Sequence, residues 1–170
     1  MKKNTIWRAM FAVILLAAIS AGPMAVAEDK DVDKVAACGT TEINFTAQTD
    51  KKQHPTPQPE AGQSMVYVLR PSIMGAAVQT KLAINGEWKG VNRGNTYFYF
   101  TATPGEHLFC SKAENTSLLR LTLEPGKTYF IQQKVKMGAM KARNELAVMT
   151  EEEGRQKLEK LNLSVFEEKR

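Results

Sequence analysis

From Met65 to Met149 a turn signal interrupts the sequence roughly every 8–12 residues, the spacing of an all-β sandwich or barrel. Asn85-Gly86 is the strongest of these signals, because both positions tolerate the positive φ of a two-residue hairpin. Asn92-Arg93-Gly94, Pro104-Gly105 and Pro125-Gly126 follow. Between the turns, apolar residues recur at every second position, as on half-buried strands. Val78, Leu82 and Ile84 share one face, as do Leu119, Leu121 and Leu123, and then Tyr129, Ile131 and Val135. Met65–Arg70 is apolar on both faces and ends at Pro71, and Trp88–Val91 returns from the Asn-Gly turn. Asn95–Ala102 carries the run Tyr97-Phe98-Tyr99-Phe100, His107–Lys112 carries Cys110, and Glu145–Met149, beyond a break at Gly138, is the last expected strand. The expected fold is mainly β: an antiparallel β-sandwich of seven to eight strands with an N-terminal arm and one C-terminal helix.

The flanks obey different rules. Thr150-Glu151-Glu152-Glu153 is a capping box, in which a hydroxyl and a carboxylate satisfy free backbone donors at a helix start. Glu151/Arg155 and Glu153/Lys157 are spaced for ion pairs, and Leu158 and Leu161 form a narrow apolar stripe. A closing helix of about 12 residues is expected, followed by a tail. Upstream, Asp50–Gln63 has Pro55, Pro57 and Pro59 at alternate positions, so it should run extended and outside any central sheet. Thr41–Thr46, around Ile43 and Phe45, is a short expected strand, and the charged residues 28–35 should be disordered. The expected organisation is a signal peptide (1–27), an arm and proline strap (28–64), a sandwich (65–150), and a helix with tail (151–170).

The first 27 residues have the pattern of a secretory signal. Lys2, Lys3 and Arg8 precede the apolar stretch Ala9–Ala21, and Ala25-Val26-Ala27 offers a cleavage site ahead of Glu28. The stretch is short of the about 20 residues that span a bilayer, and no second run is long enough to cross one. Cleavage would leave 20 basic and 18 acidic residues, without the clustered basic stripe of a nucleic-acid binder. Cys38 and Cys110 are the only cysteines, and an even pair in an exported chain reads as a disulfide. Val35-Ala36-Ala37-Cys38 resembles a lipoprotein acylation box, but the charged residues 28–34 separate it from the apolar run. The expected location is the periplasm or the cell exterior.

Val66–Pro71 (VYVLRP), Asn85–Gly90 (NGEWKG), the aromatic strand before Pro104–His107 (PGEH), Leu123–Gly138 (LEPGKTYFIQQKVKMG) and Thr150–Gly154 (TEEEG) occur in a characteristic order. Residues 65–153 thereby resemble the bacterial secreted domain-of-unknown-function family 2846. Residues 85–109 are also similar to PEGA-type β-domains of bacterial surface proteins. The resemblance implies a compact exported β-domain and assigns no catalytic residue.

The residues themselves give little support to catalysis. A nucleophile needs a base in hydrogen-bond reach, and the only histidines are His54, in the strap, and His107, after a Pro-Gly turn. No serine sits in a GxSxG elbow, and no HxH or CxxC spacing suggests a metal site. Gly86, Gly90 and Gly94 are turn glycines without a following helix, unlike a phosphate loop. Neither cofactor nor metal is expected. Trp88, Tyr97 and Tyr99 could form a platform for a sugar or peptide, or the tyrosines could lie buried under the helix or arm. Arg143, in the loop after Gly138, could hold an anionic group, and Lys134, Lys136 and Lys141 surround it. The expected role is a non-enzymatic binding or structural module whose partner is an envelope polymer or protein. An accessory subunit pairing through an edge strand, and a hydrolase using His107, are the alternatives.

Overall fold

A computed structural model describes residues 30–137 and 142–169. The expected signal peptide, Gly138 and Lys141 lie outside the described residues. The elements in chain order are α1 (Lys30–Cys38), β1 (Phe45–Asp50), β2 (Ser64–Arg70), β3 (Thr80–Ile84), β4 (Glu87–Asn92), β5 (Thr96–Ala102) and β6 (Gly105–Lys112). They continue with β7 (Thr116–Leu123), β8 (Thr128–Met137), β9 (Ala142–Met149), α2 (Glu151–Leu158) and β10 (Asn162–Glu168). The strands form a six-stranded sheet in the order β1-β10-β5-β2-β8-β9 and a four-stranded sheet in the order β4-β3-β6-β7. Pairing is antiparallel except at β10/β5 and β2/β8.

Side-chain alternation builds the layers. Val66 and Val68 of β2 and Phe98 of β5 point into the space between the sheets, where they meet Leu82, Ile84, Phe109, Leu123, Ile131 and Leu146. Met65, Tyr67 and Leu69 point the other way and join Tyr97, Phe130, Met149, Leu158 and Leu161 on the outer face of the six-stranded sheet. Thus β2 is buried at every residue, as its doubly apolar sequence requires. Asn85 (φ 49) and Gly86 (φ 84) both adopt the left-handed conformation of the hairpin joining β3 to β4.

Three flanking expectations need correction. Residues 30–38 are helical, not disordered. So short a helix is marginal alone, but Ala37 and Cys38 pack against Ala83, Trp88 and Cys110. Gly39, at φ +75, ends it with its N–H on the Val35 carbonyl, and the Gly86 N–H donates to the Ala37 carbonyl. The first strand lies at Phe45–Asp50 instead of Thr41–Thr46, because it pairs with β10 along its whole length. Finally, α2 has eight residues, and the segment expected as a tail is β10, inserted between β1 and β5. The mainly β, two-sheet fold is as expected, with ten strands among the described residues where seven to eight were expected. Thr150 does cap α2, accepting from the Glu153 N–H, and Arg155 bonds Glu151. Lys157 instead reaches the Gln132 side chain across to β8.

Candidate functional site

The aromatic run of β5 divides as its alternation requires, with Phe98 and Phe100 on the inter-sheet side and Tyr97 and Tyr99 on the outer side. Tyr67 of β2 lies beside both tyrosines, with ring centroids 6.4 Å from Tyr97 and 5.7 Å from Tyr99, and it stacks on Phe130 of β8 at 5.2 Å. Two covers close this aromatic floor. Over Phe130 sits α2, whose Gly154 approaches so closely that a Cβ there would lie 2.1 Å from the ring's Cγ. Over the tyrosines runs the proline strap. The Tyr67 hydroxyl donates to the Pro57 carbonyl at 2.6 Å, and the Tyr97 hydroxyl donates to the Pro55 carbonyl at 3.0 Å. His54 packs edge-on against Tyr97 at 5.1 Å.

Burial, reinforced by Tyr99, pushes the Tyr67 hydroxyl up to about 12. Burial, reinforced by Tyr67 and Tyr99, does the same to Tyr97. Both remain neutral donors at any physiological pH. In the strap, Pro55, Pro57 and Pro59 are half-buried while Thr56, Gln58 and Glu60 are exposed. An Asx turn precedes it, in which Asp50 Oδ1 accepts from the Lys52 and Gln53 N–H groups. A turn closed by the Gln63 N–H on the Glu60 carbonyl follows.

Trp88 is not part of this floor. It is buried on β4 with Ala37, Val91 and Cys110, and its Nε1 donates to the Thr41 carbonyl at 2.9 Å. Tyr97 is fully buried and Tyr99 half-buried, so the three rings do not make one exposed platform. Arg143 is exposed, but it stands in β9 opposite Lys136 and not in a loop. Cys38 and Cys110 are joined in a disulfide that ties α1 to β6.

His107 is buried, and both ring nitrogens are engaged, Nδ1 with Asn85 Nδ2 at 2.8 Å and Nε2 with the Thr103 carbonyl at 2.8 Å. These bonds tie the β3–β4 turn at Asn85 and the β5–β6 turn at Thr103 to the histidine.

A second polar group, unforeseen in the sequence, occupies one end of the inter-sheet layer. Gln133 of β8 accepts from Thr80 Oγ1 at 3.0 Å and Asn92 Nδ2 at 3.1 Å, and donates to Ser111 Oγ at 3.0 Å. Asn92 also donates to the Val68 carbonyl and accepts from Thr96 Oγ1. These are neutral hydroxyls and amides, suited to fixing the pairing of two sheets and not to moving protons. Nearby, the fully buried Arg70 guanidinium donates to the carbonyls of Met74, Gly75 and Val78, holding the loop after β2. Burial lowers Arg70 to about 10. Thr80, Ser111 and Gln133 each stand two residues from an inward apolar neighbour, Leu82, Phe109 and Ile131. The alternation marks them as inward-facing, but their partners depend on how the sheets face each other.

Residues 60–145 match the family described as "Protein of unknown function (DUF2846)". An uncharacterized protein of Haemophilus influenzae is 36% identical over 108 residues, covering 63% of this chain and 64% of that relative. The match thus spans less than two thirds of the relative's length. No solved structure matches. The family match takes in Tyr67, Tyr97, His107 and Cys110 and leaves out Cys38 and the strap prolines. The resemblance carried by VYVLRP, NGEWKG and PGEH thus holds, and the chain belongs to the DUF2846 family.

Proposed function

We propose that this chain is an exported, non-enzymatic recognition or structural β-domain of the bacterial cell envelope, working in the periplasm or outside the cell. One observation carries the proposal: the Cys38–Cys110 bond, which joins the arm to the sandwich and leaves no free cysteine among the described residues. Such bonds persist where the medium is oxidising and are rare in a reducing cytosol. The basic start, short apolar run and Ala-Val-Ala at residues 1–27 support the same address. The engaged nitrogens of His107 favour recognition over bond-making chemistry. The test is cell fractionation followed by alkylation and mass spectrometry of the natural product. The expected product begins at Glu28, is found outside the cytoplasm and carries no alkylatable thiol. Two free thiols in a cytosolic product that retains residues 1–27 would overturn the proposal.

A second reading, an accessory subunit that accepts a strand from its partner, is favoured by the position of β1 at the end of the six-stranded sheet. The edges elsewhere are stitched: Asn115 and Ser117 bond the backbone of β9, and Ser164 bonds the Val91 carbonyl of β4. Asn44 accepts from Lys169, so the even-numbered residues of β1 face β10 and Thr49 faces outward. Thr49→Pro should therefore abolish partner pairing while sparing the fold.

A further inference from the structure

We propose that the tyrosine floor of the six-stranded sheet is a reading site for extended peptide with proline at alternate positions. The chain's own strap is its cis occupant, and a proline-alternating segment of another envelope protein is its trans ligand. The inference rests on the recognition role proposed above and names the class of partner.

Geometry is the first support. Two residues of extended chain advance about 6.2–6.6 Å. The rings of Tyr67 and Tyr97 are 6.4 Å apart, and their hydroxyls bond carbonyls two residues apart on the strap. The floor therefore has the repeat of an extended chain built into two neighbouring strands.

Chemistry is the second. Proline lacks an N–H, so a proline-alternating segment cannot pair as a central strand and offers only carbonyls and flat rings. The floor presents what such a segment can accept: hydroxyl donors for the carbonyls and aromatic rings for the pyrrolidines. Polyproline-reading grooves in other proteins work by the same means. Phenylalanine would cover the sheet as well as tyrosine does, but it would leave strap carbonyls facing the interior without donors.

The third support is how loosely the occupant is held. Among the described residues the strap forms no strand; from His54 to Pro59 it is held by two side-chain hydroxyls and ring packing, and only at its end does the Gln63 carbonyl accept from the Gly126 N–H. It is bounded by a turn at each end, the Asx turn at Asp50 and the turn at Glu60–Gln63. Both tyrosines lie within the residues matched to the family, whereas the strap prolines lie before them. A tethered occupant acts at an effective concentration on the order of millimolar. A trans ligand must therefore compete, and only a tight or locally abundant one engages the floor.

The test uses a fluorescent peptide of sequence HPTPQPE, corresponding to His54–Glu60, with the mature chain and a full-length Pro55→Gly/Pro57→Gly variant. The glycines loosen the cis occupant and should lower the peptide Kd at least tenfold relative to the unmodified chain. Adding Tyr67→Phe and Tyr97→Phe to that variant should raise it again at least tenfold. Absence of saturable binding while circular dichroism shows an intact sheet, or binding indifferent to the hydroxyls, would overturn the inference. If the glycine variant does not fold, unlabelled peptide at millimolar concentration is added to the unmodified protein. Movement of the Thr56 and Gln58 amide resonances of the isotope-labelled protein toward random-coil positions supports displacement of the strap, and unmoved resonances overturn it. Peptide binding by a chain that proves cytosolic would sink the envelope role alone. An exported, oxidised chain that ignores the peptide would sink the reading site alone.

Discussion

Two segments of the N-terminal region cover the sheets, and they are fastened by different means. The arm, α1 and the residues after it, is locked to the four-stranded sheet by a covalent bond. The lock is reinforced by the buried Ala37, by Trp88 on the Thr41 carbonyl, and by Glu42 bridging Lys81 and Lys112. The strap, only a dozen residues further on, is held over the six-stranded sheet by two tyrosine hydroxyls and half-buried prolines. The first cover behaves as part of the core. The second can lift without dismantling either sheet, because no ladder hydrogen bond is lost when it goes.

The largest effect should come from making the arm as weakly held as the strap. Cys38→Ala/Cys110→Ala should lower unfolding free energy by about 2–5 kcal/mol, the usual cost of losing a native disulfide from a small domain. Urea denaturation of the mature chain measures it. A loss below about 1 kcal/mol would mean that packing of Ala37 and Trp88 alone fastens the arm, and the contrast would shrink accordingly.

The next effect lies at the second cover of the aromatic floor. Gly154 has no room for a Cβ against the Phe130 ring. Gly154→Val should cost about 1–3 kcal/mol through overpacking. The penalty should appear in thermal unfolding, while α2 shifts off Phe130 and the strap contacts stay in place. Loss of both covers together would show them to be one cooperative unit.

Much of this plan was legible before any coordinates, and the contrast explains where legibility stopped. The Asn85-Gly86 hairpin and the opposite faces of Tyr97 and Phe98 follow from local rules, so those positions stand where their sequence puts them. The helix at Lys30–Cys38 does not, since its charged residues read as tail and its stability comes from Cys110, 72 positions away. Nor does β10, whose Ser164 and Phe166 face inward only because β1 and β5 flank it. For the candidate site, Tyr97 and Tyr99 were found with their exposure left open, whereas Tyr67, whose hydroxyl also holds the strap, was not singled out. What covers them depends on the route of residues 51–63 across the sheet, which no local pattern encodes.

A smaller effect is expected at the strap itself. Tyr97→Phe removes one hydroxyl and leaves the ring, so it should cost about 0.5–1.5 kcal/mol. The loss should appear in urea denaturation, with the Thr56 amide resonance moving toward its random-coil position. Alkaline titration probes the same contacts. Tyr67 and Tyr97 are raised from 10 to about 12, so their contribution to stability is complete below pH 10 and is lost as pH rises through about 12. Absorbance near 295 nm should show Tyr67 and Tyr97 ionising late, together with release of the strap. Ionisation of Tyr67 and Tyr97 near pH 10 would mean that the strap is already off the floor in solution.

The smallest effect belongs to the polar fastening of the arm. Hydrogen bonds from Lys112 and then Lys81 hold the Glu42 carboxyl below its ordinary value. Its contribution is therefore present above pH 4.5 and fades as pH falls through that lowered value. Glu42 is more than a third exposed, and solvent screens the pairs. Glu42→Gln should thus cost no more than about 1 kcal/mol at neutral pH, less in high salt, and nothing once the wild-type carboxyl is protonated. A cost that persists in molar salt would move Glu42 from a surface clasp to a buried one. The arm would then owe a real share of its permanence to charge as well as to sulfur.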